Sequence, residues 1–245
     1  MAAHPRAEYL AKGHCESNSE LELDVDKLEE SAQDALANVT EHGSGFKVLR
    51  LRRDGQLGDI LITNVAGIVA RSKLRYIEFY TRKDEGRVRI LESIQWEHLR
   101  ELAICLKPGT VETAVMRALV DGVKSMSGKV DLEDFWFLSE SGNGAPLSIP
   151  QGDLLQTFVA STSLERLRLG VAMTLEQVLS LFRLADFTRL KILTLWTREF
   201  DSVQVDALLD GLQHAMKLET LRLLCTQVTD EQVDRMKAKG IHLTS

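Results

Sequence analysis

The sequence predicts an α/β solenoid, a curved right-handed β-α superhelix with a parallel sheet on its concave face and helices on its convex face. Two observations predict it. The pattern L-x-x-L-x-L, with other apolar residues allowed at its key positions, returns seven times. The copies are Phe46-Leu49-Leu51, Leu74-Ile77-Phe79, Leu99-Leu102-Ile104, Leu132-Phe135-Phe137, Leu164-Leu167-Leu169, Leu190-Leu193-Leu195 and Leu218-Leu221-Leu223. They begin 28, 25, 33, 32, 26 and 28 residues apart, and an internal period of this length marks a stacked repeat. The second observation is that each copy is followed by a loop and then by apolar residues at helical spacing.

Each L-x-x-L-x-L segment reads as a short strand. Its fourth and sixth positions, such as Leu167 and Leu169, point into the core, and the third, fifth and seventh point out of the sheet. The clearest helices span Asp26–Asn38, Asp59–Ala70, Thr110–Lys124, Gly152–Ala160, Thr174–Ala185, Ser202–Met216 and Thr229–Lys239. Thr174 and Thr229 are each followed three residues later by glutamine, Gln177 and Gln232, which is the reciprocal capping-box arrangement. Gly240 suits the left-handed position just past the last helix. Counting back from Phe46 gives an eighth copy at Asn18, with Leu21 and Leu23 at its core positions, and Ile241 and Leu243 start one last strand. Residues 1–17 show no period and read as a flexible N-terminal segment. Residues 18–245 read as one repeat domain whose first and last repeats act as caps.

Composition narrows the function classes. With 44% hydrophobic and 27% charged residues the chain can bury a core, and its formal net charge of −6 gives no reason to expect a nucleic acid as partner. Charge is nevertheless uneven: residues 16–41 hold nine acidic side chains and only Lys27 as a base. Three cysteines, Cys15, Cys105 and Cys225, form no C-x-x-C pair, which argues against a disulfide scaffold or a zinc site. No signal peptide is visible, and the apolar stretch Ile60 to Ala70 is too short to span a bilayer. An intracellular location, cytoplasmic or nuclear, is expected. The six histidines are scattered, and G-x-S-x-G, G-x-G-x-x-G and the phosphate loop are all missing. We therefore expect no enzyme, cofactor or metal.

On these seven copies the chain resembles leucine-rich repeat proteins of the ribonuclease-inhibitor-like class, over roughly residues 18–245. It is also similar to the repeat tails of F-box proteins and nucleotide-binding receptors, particularly in Leu190–Lys239. The resemblance implies a leucine-rich repeat fold and a role in binding proteins. The family places Asn or Cys at the ninth position of each repeat to satisfy loop backbone. Here that position holds Asp54, Arg82, Lys107, Glu140, Ala172, Arg198 and Thr226, so the loops must satisfy their backbones in another way.

The outward positions carry two of the three tryptophans and two of the three tyrosines. Exposed aromatics and arginines dominate interface energetics. The residues expected to hold a protein partner are Tyr76, Tyr80, Trp136 and Trp196 as anchors, with Arg166, Arg168 and Arg222 as polar contacts. The same face also reads as paired charges, Glu22–Arg50–Glu78, Asp24–Arg52 and Asp134–Arg166, with Trp196 beside Leu224 as an apolar pair. Arg168 and Arg222 lack an acidic neighbour in their rows and so suit intermolecular contact best. The gly- and ser-rich loop Ser139–Pro150 is a second candidate surface. The expected function is a non-enzymatic module binding a protein through the concave face. The alternatives are a recognition or sensor fragment of a larger assembly and a regulator or inhibitor of an enzyme.

Overall fold

The computed structural model describes residues 20–24, 46–52, 59–81, 85–106, 113–139, 147–184, 188–196, 200–212, 217–224 and 228–244, without the side chains of 20–24, 52, 80, 81, 85, 106, 139, 184 and 224. The chain divides into two compact units, Met1–Ala103 and Ile104–Ser245. Both are α/β and alternate strands with helices.

The first unit runs β1 (Glu20–Asp24), β2 (Val48–Arg52), α1 (Asp59–Arg71), β3 (Tyr76–Thr81), α2 (Glu85–Glu92) and the start of β4 (Glu101–Leu106). The second runs from the end of β4 through α3 (Thr113–Lys124), β5 (Asp134–Ser139), α4 (Ile149–Ala160), β6 (Arg166–Gly170), α5 (Leu175–Leu184), β7 (Ile192–Trp196), α6 (Ser202–Gly211), β8 (Thr220–Leu224), α7 (Asp230–Ala238) and β9 (His242–Thr244). Pairing is parallel throughout: β1–β2–β3 in the first unit, and β5–β6–β7–β8–β9 in the second.

Register places like on like. Leu21, Leu49 and Ile77 stand side by side, as do Phe135, Leu167, Leu193, Leu221 and Leu243. A second row joins Phe137, Leu169, Leu195 and Leu223. These are the fourth and sixth positions of the motif, and from Leu49 onward all of them are buried. Each sealed leucine contributes ~1.5–3 kcal/mol. Phe135 adds Phe158 of α4 at a ring-centroid distance of 4.7 Å. The motif's first position is buried too, and a recurring turn precedes the strand. The carbonyl of the residue before one strand accepts two successive N–H groups of the next repeat: Glu133 from Glu165 and Arg166, Glu165 from Lys191 and Ile192, Lys191 from Glu219 and Thr220. Lys47 does the same for Arg75 and Tyr76 in the first unit.

The clearest helices read from the sequence do not include one between β3 and β4, yet α2 is there. Arg87 hides it, since a charge in this short segment breaks the apolar stripe. Arg87 is nevertheless buried at 1% exposure, like Ile90 and Leu91 of the same helix. Helix α4 begins at Ile149 rather than Gly152, because Pro150 is accommodated in a first helical turn. α3 and α6 occupy Thr113–Lys124 and Ser202–Gly211, while residues 110–112 and 213–216 of the predicted helices, and the helix expected at Asp26–Asn38, lie outside the described residues. Both predicted capping boxes are present, at Thr174 and Thr229. Gly240 has φ +76°. Its N–H donates to Lys237 and that of Ile241 to Met236, which closes the helix in a Schellman motif. The last strand starts at the expected place, with Ile241 and Leu243 buried.

Glutamine at the third helical position recurs in α4, α5, α6 and α7. Its side-chain carbonyl accepts the N–H of the capping residue each time: Gln151 from Ser148, Gln177 from Thr174, Gln204 from Asp201, Gln232 from Thr229. Two of them reach further. Gln177 Nε2 donates to the Leu147 carbonyl at 2.8 Å, and Gln232 Nε2 donates to the carbonyl and hydroxyl of Ser202 at 3.0 and 3.1 Å. Leu147 in turn donates its N–H to the Ala172 carbonyl at 2.9 Å. At these two places among the described residues, a carbonyl of one repeat is satisfied by a glutamine of the next. Of the seven ninth-position residues only Ala172 is among those described.

Candidate functional site

In the first unit the outward face gathers Arg50 of β2 with Tyr76 and Glu78 of β3. Residues two apart on a strand share a face, and register sets Arg50 directly beside Glu78. Arg50 Nε lies 3.2 Å from Glu78 Oε2, the Tyr76 hydroxyl donates to the same oxygen at 3.0 Å, and the guanidinium sits 5.2 Å from the Tyr76 ring centroid. Burial, then the Glu78 charge, pushes the Tyr76 hydroxyl up to about 12. The side chain of Tyr80, the other tyrosine expected to bind, lies outside the described residues.

In the second unit three side chains of β5 and β6 close on the carboxylate of Asp134. Asp134 Oδ1 accepts the Trp136 indole N–H at 2.7 Å. Asp134 Oδ2 meets Arg166 Nε at 2.8 Å and Arg168 at 4.0 Å. The Arg168 guanidinium lies over the Trp136 ring, 3.8 Å from its centroid. The expected Asp134–Arg166 pair is thus present, and Arg168 has no acidic neighbour in its own row, but a carboxylate lies within its reach in the next row. Row-by-row reading pairs Arg168 only with Trp136 and Thr194, whereas its long side chain also reaches diagonally to Asp134. Asp134 and Thr194 are corrections. Both occupy outward positions, yet they are 3% and 4% exposed, sealed by larger neighbours on the same face.

Trp196 ends β7, in register with Leu224 of β8. On its other side lies Gly170. A Cβ there would stand 2.8 Å from Leu138 Cδ2 and 3.0 Å from Trp196 Cε3, so the glycine is what lets these two side chains cover the strand between them. Arg222 on β8 is exposed and makes no hydrogen bond or ion pair with a described residue. Trp136, Arg166, Arg168 and Trp196 are all partly exposed. The structure therefore brings Trp136, Arg166 and Arg168 together and leaves Trp196 and Arg222 on neighbouring strands of the same unit.

A separate charge network precedes the strands. Arg189 meets Asp131 at 3.1 Å and Glu165 at 3.4 Å, and Lys191 Nζ lies 2.7 Å from Glu165. The hydrogen bond from Lys191 holds the Glu165 carboxyl below its ordinary range. The one to Asp131 raises Arg189. Cys105 is partly buried and forms no disulfide with a described residue. Among the described residues no group of three or more His, Cys, Asp or Glu is arranged to hold a metal ion, and no helix is long and apolar enough to cross a membrane.

No known protein family and no curated protein matches the sequence. Among solved structures, the chain is similar to a crystal structure of a Bacteroides fragilis protein, with a TM-score of 0.53 and 13% identity, over 97% of this chain and 76% of that one. The likeness is one of fold.

Two participants were not singled out from sequence as parts of the site. Asp134 organises the cluster, and its signal is D-x-W on one strand facing R-x-R on the next. Gly170 makes room for Trp196, and its signal is an unexplained glycine at an outward position between Leu138 and Trp196.

Proposed function

We propose that this chain is a non-enzymatic leucine-rich repeat protein of the ribonuclease-inhibitor-like type that binds a protein partner through the outward, concave face of its sheet. The observation that carries the reading is the cluster of Trp136, Arg168, Arg166 and Asp134. An aromatic ring and two arginines are held in one geometry by short polar contacts while remaining partly exposed. Side chains ordered in the free protein lose less entropy on association, and Trp and Arg are the residue types that most often dominate binding energy. The recurring β-α units and the buried leucine rows support the family reading.

Proximity labelling in cells, comparing the natural chain with a Trp136→Ala, Trp196→Ala double variant, tests it. The double variant is expected to keep its far-UV circular dichroism and lose at least tenfold enrichment of the proteins labelled by the natural chain. An unchanged set of labelled proteins would overturn the assignment of this face.

A further inference from the structure

We propose that the outward face of β5–β8 takes an acidic polypeptide segment of another protein, one in which carboxylates and an apolar side chain recur every three residues; this deepens the reading above and rests on it. The chain as a whole carries a formal charge of −6, but this face has the opposite sign. Among its described outward residues stand three arginines, Arg166, Arg168 and Arg222, against one carboxylate, Asp134. That carboxylate is 3% exposed and already accepts from Trp136 and pairs with Arg166, so it offers little to an incoming cation. Arg166 and Arg168 are partly exposed and Arg222 is exposed.

Spacing adds to sign. Arg168 and Arg222 share one row, separated by Thr194 of β7. Two strand spacings set them ~10 Å apart. Trp196 lies on that same middle strand, two residues beyond Thr194 and on the same face. The order across the strands is cation, aromatic, cation. A partner in the polyproline II form rises ~3.1 Å per residue with three residues per turn, so carboxylates three residues apart lie on one face ~9 Å apart and match the arginines, with an apolar side chain on the adjoining face for the indole. Arginine meets carboxylates through a planar fork of donors and remains charged at every physiological pH.

The test is fluorescence anisotropy with labelled peptides of repeated Glu-Glu-Leu and, as its charge reversal, repeated Lys-Lys-Leu. The acidic peptide is expected to bind and the basic one not. Raising salt from ~0.1 M to ~1 M shortens the screening length from about 10 Å to about 3 Å and should weaken binding strongly. Arg222→Glu, an exposed change that leaves the core untouched, should weaken the acidic peptide about tenfold or more.

Equal binding of both peptides, or an affinity indifferent to Arg222→Glu, would overturn the proposal. So would an oligothymidylate of equal length that binds as tightly with the same dependence on Arg222, since the face would then be a nucleic-acid site. Self-association in sedimentation that is competed by a peptide of residues 16–41 would assign the face to a second copy of this chain instead. If Arg222→Glu has no effect while the tryptophan double variant still loses its cellular partners, only the acidic chemistry fails. If the tryptophan variant also keeps its partners, the binding face itself is wrong.

Discussion

The guanidinium of Arg168 lies 3.8 Å from the centroid of the Trp136 ring, whose N–H is at the same time bonded to Asp134 two residues earlier on its strand. Each of the three groups limits the rotamers of the other two. A double-mutant cycle of Trp136→Ala and Arg168→Ala, followed by urea denaturation, should give a coupling energy of ~0.5–2 kcal/mol. Strictly additive losses would show that the stack contributes nothing beyond packing.

The glutamines at the helix starts should be unequal. Gln232 is 3% exposed and serves Thr229 on one side and Ser202 on the other. Removing its side chain strands a capping N–H and a carbonyl of the preceding repeat, so Gln232→Ala should lower stability by ~1–3 kcal/mol. Among the described residues Gln204 forms only the local box with Asp201, and Gln204→Ala should lower it by ~0.5–1 kcal/mol. Urea midpoints of the two variants at equal slope decide the order; a reversed order would remove the argument for bridging between repeats.

Gly170 predicts its own defect. An added methyl would sit 3.0 Å from the Trp196 ring and 2.8 Å from a Leu138 methyl. The leucine end can rotate away more easily than an indole can. Gly170→Ala should therefore move Trp196 toward solvent, shift its emission to longer wavelength and destabilise the fold by ~1–3 kcal/mol. Trp196→Leu in the same background should recover part of that loss. An alanine variant with natural emission and stability would mean that the crowding is relieved at no expense.

Tyr76 supplies a titration. The protonated hydroxyl is favoured in the folded chain, with its pKa raised from 10.0 to about 12. A group held protonated in this way contributes stability that is complete below pH 10 and is lost as the pH rises through about 12. Among the three tyrosines, Tyr9, Tyr76 and Tyr80, one should ionise late in an ultraviolet titration of the folded protein. That late component should vanish in Tyr76→Phe. Its persistence would assign the late proton to another tyrosine.

The parts of the structure legible in the sequence are those governed by period. Leu49, Leu51, Leu167 and Leu169 occupy the buried positions that strand alternation assigns them, and the capping boxes of Thr174 and Thr229 needed only local spacing. Arg87 shows where period fails, because a buried charge erases the apolar stripe that would have announced α2. The site was legible as residue types on a face, and not as contacts. Register gives the neighbour in the same row, so Asp134 beside Arg166 could be read. The reach of Arg168 along the diagonal depends on side-chain length and rotamer, which a pairing rule does not contain. The burial of Asp134 and Thr194 was hidden for a similar reason, since alternation assigns the side of a sheet and says nothing of what large neighbours cover there.

A ribosome releases its product N-terminus first, and this gives the two glutamine bridges a direction. Leu147 is made thirty residues before Gln177, and Ser202 thirty before Gln232, so each amide emerges to find its acceptor already outside. A nascent chain can therefore seal one repeat onto the last without waiting for its own end. A chain shortened from the C-terminus would shed the donors and leave carbonyls that water can serve. One shortened from the N-terminus, losing Leu147, would leave the Gln177 amide without that acceptor, open to water on the side the lost repeat had covered. Trimming from one end bares carbonyls, and from the other it bares amides.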